Sequence, residues 1–299
     1  MYTIAMRIIE PHTLSGRTRS VRPTGPSKKR RRILALLLLV FVVGISWLML
    51  PDHSSAPQTS LTDSENTSPA RVAGVQNGPM PYFTGEQFQV LYDSLAFPNT
   101  QPIITAPHIT GNQQADARIR QIAESRGYKL RAIPVRPIIK TGEPGLVDDD
   151  LLQPKAYEAW LAIKNQAAGD NIPIKLNSGY RTIEWQRNYF VQNLRAAGVS
   201  TEDIIVGAAD TAIVSIIRTI APPGYSRHHT GYTIDLVCDD GTGRAFEFTH
   251  CFEWLSSDNY GVAKRFGWIP SYPDGVDRQG PEPEPWEYVW VGTETLMSQ

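Results

Sequence analysis

Residues 226–235 read Ser-Arg-His-His-Thr-Gly-Tyr-Thr-Ile-Asp (SRHHTGYTID), and the rest of the chain is best read outward from them. From Tyr232 to Val237 the side chains alternate as they do on a β-strand. Gly231 supplies a turn just before it. A histidine ahead of a glycine turn and an aspartate on the next strand can aim two donor atoms at one point. Imidazole nitrogen and carboxylate oxygen are both ordinary ligands of zinc. His228 and Asp235 are the candidate ligands, although paired histidines in a loop are more often simply solvated.

Two more segments carry chemistry-bearing residues. Residues 178–182 (SGYRT) lie between a short strand expected at 173–176 and a helix expected at 183–197. Thr182 is a helix N-cap, Glu184 falls in the first turn and Gly198 ends the helix. Arg181 stands at this turn, where a guanidinium can hold a carboxylate, stabilise an oxyanion or form a structural salt bridge. Residues 282–287 read EPEPWE. Prolines on both sides of Glu284 stiffen the approach to a last strand, and a carboxylate fixed there suits a general base. Taken alone, the same stretch is an acidic, solvated loop.

The three segments together resemble the zinc D-Ala-D-Ala carboxypeptidase and endolysin family, including the VanY-type carboxypeptidases. The resemblance covers residues 154–292, about half the chain. The family's SGYR-[ST]-x-x-x-Q is complete as SGYRTIEWQ, and its S-x-H-x-x-G-x-x-x-D is complete as SRHHTGYTID. The helix and glycine–aromatic strand of residues 252–273 also fit. The resemblance implies that His228 and Asp235 bind one Zn2+ and that Arg181 stabilises the developing oxyanion. It implies Glu284 as general base, and Ser178, Tyr180, Gln186 and Ser226 as substrate contacts. The implied substrate is a peptidoglycan stem peptide ending in D-alanyl-D-alanine, or a murein cross-link.

The family's third motif, E-x-W-H, departs here: residues 284–287 are Glu-Pro-Trp-Glu. Glu287 occupies the third ligand's place. Carboxylates serve in some catalytic zinc sites, so Glu287 can be the ligand. A His-Asp-Glu set makes a harder, more anionic site that other divalent ions such as Mn2+ can also enter. Otherwise His229 or His250 replaces the missing histidine, or the metal is lost and a non-catalytic peptidoglycan-binding module remains. A membrane-anchored envelope assembly factor is a further alternative, of another class.

The expected fold is α+β, with an antiparallel sheet core and flanking helices. Residues 154–168 predict a helix whose buried face is Ala156, Trp160, Ile163 and Ala167. Residues 203–220 predict one further helix, stopped by Pro222 and Pro223. Strands are expected at 232–237, 268–272 and 286–292, and a helix at 252–266. Short helices are expected at 85–95 and 112–127. Residues 80–150 form a small accessory region without a catalytic motif, ahead of a catalytic domain at 151–299. His108 is a surface or satisfied polar residue.

The N-terminal quarter has a different character. Residues 1–32 hold nine Lys/Arg and one acid, and residues 33–50 (ILALLLLVFVVGISWLML) hold no charge. Eighteen helical residues span roughly 27 Å, about one bilayer core. The basic tail ahead of them is expected in the cytoplasm, and Trp47 suits the far interface. The expectation is a single-pass inner-membrane anchor at 33–50, with no nucleic-acid partner for the tail. A cleaved signal peptide fits less well, because the apolar run is long and no small-x-small site follows. Residues 51–79 read as a flexible polar linker. The catalytic domain is then extracytoplasmic, where the two cysteines, Cys238 and Cys251, can form a disulfide.

Overall fold

A computed structural model describes residues 78–143 and 151–299. The expected basic tail, membrane anchor and linker lie outside the described residues, apart from residues 78–79. In chain order the elements are α1 (Gly85–Ser94), β1 (Thr100–Pro102), α2 (Gln113–Ser125), β2 (Ala132–Pro134), β3 (Ile139–Lys140), β4 (Leu151–Leu152) and α3 (Pro154–Gly169). There follow β5 (Ile174–Ser178), α4 (Ile183–Ala196), α5 (Thr201–Ile205), α6 (Asp210–Ile217) and a 3-10 turn (Arg227–Thr230). The chain continues with β6 (Thr233–Cys238), a second 3-10 turn (Phe246–Phe248), α7 (His250–Arg265), β7 (Trp268–Tyr272), β8 (Glu284–Trp290) and α8 (Thr293–Met297). The α+β expectation holds. No described helix is long and apolar enough to cross a membrane.

The principal sheet has the order β5-β6-β8-β7, and every neighbouring pair is antiparallel. Two short two-stranded ladders, β1-β2 and β3-β4, accompany it. Helix α3 buries Ala156, Trp160, Ile163 and Ala167, the face its spacing predicts. That face shares a core with Leu176, Ile234, Leu236, Ile269 and Val289 of the sheet. Burying a side chain of this size contributes about 1.5–3 kcal/mol. A second core joins Ile119 and Ala123 of α2 to Phe190, Leu194, Ile204 and Ile213. Residues N-terminal to the β4 strand enter both cores: Phe88, Leu91 and Tyr92 of α1 belong to the first, and α2 to the second.

Local chemistry sets the helix ends. Thr182 accepts from Trp185 N at 3.0 Å and starts α4. Asn112 accepts from Gln114 N and Ala115 N and starts α2. Gly127 follows α2 at φ +96°, and an added Cβ there would lie 1.5 Å from the Arg278 carbonyl oxygen. Only glycine permits that approach. The single helix expected over 203–220 is corrected to two, α5 and α6, because the chain turns at Gly207 with φ +80°. Apolar spacing continues through the break, so periodicity alone does not reveal it.

Helix α7 is also interrupted. Ser257 leaves helical geometry, and Asp258, Asn259 and Tyr260 all have positive φ, at 51°, 54° and 61°. Side-chain bonds hold this turn. Asn259 accepts from Phe83 N at 2.9 Å and donates to Phe83 O at 2.8 Å. Lys264 Nζ donates to Asn259 Oδ1 and to Pro81 O. Cys238 and Cys251 form a disulfide from the end of β6 to the first turn of α7, with Cα atoms 5.7 Å apart.

Candidate metal centre

Strand register builds the site. Ser178 of β5 faces Asp235 of β6, and Asp235 faces Glu287 of β8. Ser271 of β7 falls in the register break between the Pro270–Tyr288 and Tyr272–Glu284 pairs. One row of side chains thus crosses four strands. The 3-10 turn sets His228 above this row. Gly231 ends the turn at φ +75°, a conformation glycine adopts without cost, and its N–H returns to the His228 carbonyl.

Nε2 of His228 lies 3.3 Å from Asp235 Oδ1 and 3.1 Å from Glu287 Oε2. One donor atom from each residue lies within 4.8 Å of the other two, and all three residues are buried. His228 Nδ1 is 2.5 Å from the Gly179 carbonyl oxygen, which can only accept. The ring proton of neutral His228 therefore belongs on Nδ1, and the Nε2 lone pair faces two carboxylates. Three lone pairs converging in a buried space require a cation between them. Asp235 Oδ1 is buried without a hydrogen-bond partner. Both observations fit a divalent ion held by His228, Asp235 and Glu287, whose nitrogen and oxygen donors suit zinc.

Charge in the site is strongly coupled. Burial pushes the His228 imidazole down and Arg181 adds to this, but Asp235 and Glu287 outweigh both and raise it to about 9. In the absence of a metal, a proton is the cation. Burial pushes Asp235 up, yet His228 and Arg181 hold it well below the usual carboxylate range. Glu287 is also held low, with His228 overcoming its burial. Glu284 goes the other way. Burial and the nearby Glu287 charge, with which it shares a hydrogen bond, raise it well above the ordinary value. Two neighbouring carboxyls whose environments drive them apart are what separate proton-carrying and cation-binding roles require.

The other expected site residues divide into two groups. Ser178 Oγ donates to Asp235 Oδ2 at 2.8 Å, and Arg181 Nη2 donates to Ser178 Oγ at 2.6 Å. Arg181 also pairs directly with Asp235. These two residues hold Asp235 in place. Tyr180 is half-buried at the same turn, where burial raises its phenol. Gln186 is buried and donates to the Ala221 carbonyl at 2.7 Å. Ser226 is buried, and its carbonyl accepts from His229 N.

The two alternative histidines lie outside the cluster of His228, Asp235 and Glu287. His229 Nε2 accepts from Gly224 N at 3.0 Å, and Nδ1 donates to Arg181 O at 2.7 Å. Burial lowers its imidazole to about 4, so the ring is neutral with both nitrogens engaged. His250 is exposed beside the disulfide and Asp240. His108 is exposed on the surface, 3.7 Å from Asp116. Sequence reasoning passed over Arg227 and Ser271. Arg227 lay inside the motif beside His228, but nothing marked Ser271 before the strand pairing was known.

Residues 149–293, just under half of the chain, match the model of the VanY family, described as D-alanyl-D-alanine carboxypeptidase. Similar solved structures include a variant of the vancomycin-resistance D,D-pentapeptidase VanY, from the VanB-type cassette, in complex with Zn(II). It is 23% identical, covers 56% of this chain and 86% of its own, and has a TM-score of 0.41. The LdcB LD-carboxypeptidase is 19% identical, covers 56% and 72%, and has a TM-score of 0.43. DacB from Streptococcus pneumoniae is 22% identical, covers 56% and 84%, and has a TM-score of 0.36. No curated protein matches the chain in sequence.

Proposed function

We propose that the chain is a zinc-dependent peptidase that removes the terminal D-alanine from peptidoglycan stem peptides. The observation that carries this reading is the buried His228–Asp235–Glu287 cluster, with Glu284 beside it, inside the segment that matches the family. One zinc ion per chain would be held by those three residues. Bound there, it supplies Lewis acidity toward the scissile carbonyl and an attacking water. Glu284, with its raised affinity for protons, takes the water's proton and delivers it to the leaving amine. Arg181, anchored by Ser178 and Asp235, keeps a fixed positive charge beside the tetrahedral oxygen. Tyr180, Gln186 and Ser226 shape the surroundings in which the stem peptide is held.

The test uses the purified full chain and defined muropeptides, with products read by mass spectrometry. The expected product is the stem peptide shortened by one D-alanine. A chelator should stop the reaction, and added Zn(II) should restore it. Binding of muropeptides without any cleavage in the zinc-loaded protein would instead assign a non-catalytic peptidoglycan-binding module.

For location, the uncharged run at 33–50 behind nine basic residues supports a single-pass inner-membrane anchor with its N-terminus in the cytoplasm. The linker at 51–79 then lets the peptidase reach the wall. A reporter fused after residue 60 should be active only on the extracytoplasmic side, and cytoplasmic activity would refute this topology.

A further inference from the structure

We infer that Ser271 and Arg227 are positioning residues that make Glu287 a metal ligand, a reading that rests on the proposed zinc site. Ser271 Oγ donates to Glu287 Oε1 at 2.5 Å. This bond occupies one carboxylate oxygen and leaves Oε2, at 3.1 Å from His228 Nε2, directed into the cluster. Without it the carboxylate is free to turn about its last torsion, which is broad and weakly restrained.

Arg227 holds Ser271. Its Nη1 donates to the Ser271 carbonyl and, at 3.3 Å, to Ser271 Oγ. Its Nη2 donates to Gln89 Oε1 at 2.6 Å. The guanidinium carbon lies 3.8 Å from the Tyr92 ring centre and 4.1 Å from that of Tyr272. Arg227 and Ser271 are each 1% exposed. Among the described residues no carboxylate pairs with Arg227, so this is a buried cation held by neutral acceptors and aromatic faces. Burying a charge in this way is costly, and a clamp made only for stability has no need of it. The position explains the cost. Arg227 precedes His228 on the 3-10 turn, while Ser271 sits beside Glu287 across the β7-β8 pair. One side chain therefore fixes the distance between two candidate ligands that lie 59 residues apart. Its donation to Ser271 Oγ also polarises that hydroxyl and strengthens its bond to Glu287.

The experiment measures the Zn(II) dissociation constant of the purified full chain by chelator competition, with the Tm of the metal-free protein recorded in parallel. Losing a partner that orients a ligand weakens metal binding by roughly 10–100-fold. Ser271→Ala is expected to fall in that range. Ser271→Thr keeps the hydroxyl and should bind zinc like the parent. Arg227→Lys keeps the charge but cannot bridge Ser271 and Gln89 from between two rings, so it should bind more weakly. A purely structural role would lower the metal-free Tm and leave the dissociation constant of the folded protein unchanged. Unchanged zinc affinity in Ser271→Ala, beside a parent that binds zinc, overturns this inference alone. A parent that binds no zinc overturns the proposed function along with it.

Discussion

Replacing Glu284 with Gln should abolish most turnover while leaving zinc bound. A positioned general base contributes about 100- to 10,000-fold, and kcat should fall within that range. The carboxyl of Glu284 lies outside the cluster of His228, Asp235 and Glu287, so the metal stoichiometry should stay at the parent value. Glutamine fits the same half-buried space and can still donate to Glu287, which replaces the hydrogen bond the protonated carboxyl makes. What it cannot do is accept a proton. A Glu284→Gln protein that hydrolyses at the parent rate would remove the base, and one that loses zinc would move Glu284 into the ligand set.

Replacing Glu287 with Ala should release the zinc itself. Two protein ligands would remain, with Ser271 Oγ and His228 Nε2 facing the vacated space. The loss of affinity should exceed the roughly 10–100-fold cost of disturbing a group that only orients a ligand. Glu287→His should behave in the opposite way. It restores the imidazole found at this place in the resembling family, and the Ser271 hydroxyl can change from donor to acceptor to meet a ring N–H. Zinc should then bind at least as tightly as in the parent. Metal analysis and chelator competition on the two variants decide the assignment. Zinc binding by Glu287→Ala at parent affinity would exclude Glu287 as a ligand, and since His229 has both nitrogens engaged, Glu284 would be the next candidate.

How far the sequence revealed this site depended on the distance over which each interaction acts. The buried face of α3, the Thr182 cap and the strand around Asp235 follow from spacing and local bonds, and they appear where those predict. His228, Asp235 and Glu284 sat in short patterned segments. The break at Gly207 was hidden because Ile205, Ala209 and Ile213 keep a four-residue helical spacing through it. The standing of His229 could not be read from its place beside His228, because its partners are backbone groups of Gly224 and Arg181. Ser271 and Gln89 gained meaning only when the fold brought them to Arg227 from 44 and 138 residues away. Long-range partners of a single side chain leave no periodic trace in a chain.

The turn inside α7 has a mechanical consequence. Pro81 and Phe83 lie just ahead of α1, and Asn259 and Lys264 grip both through three hydrogen bonds. Asn259 offers Phe83 an amide much as a neighbouring strand offers its peptide group. A pull along the chain from the N-terminal side meets these bonds before it reaches α1, which carries Gln89 and Tyr92 to Arg227. The load passes into α7, whose first turn the Cys238–Cys251 disulfide joins to β6. The grip works like the clamp on a cable where it enters its housing, taking tension before it reaches α1.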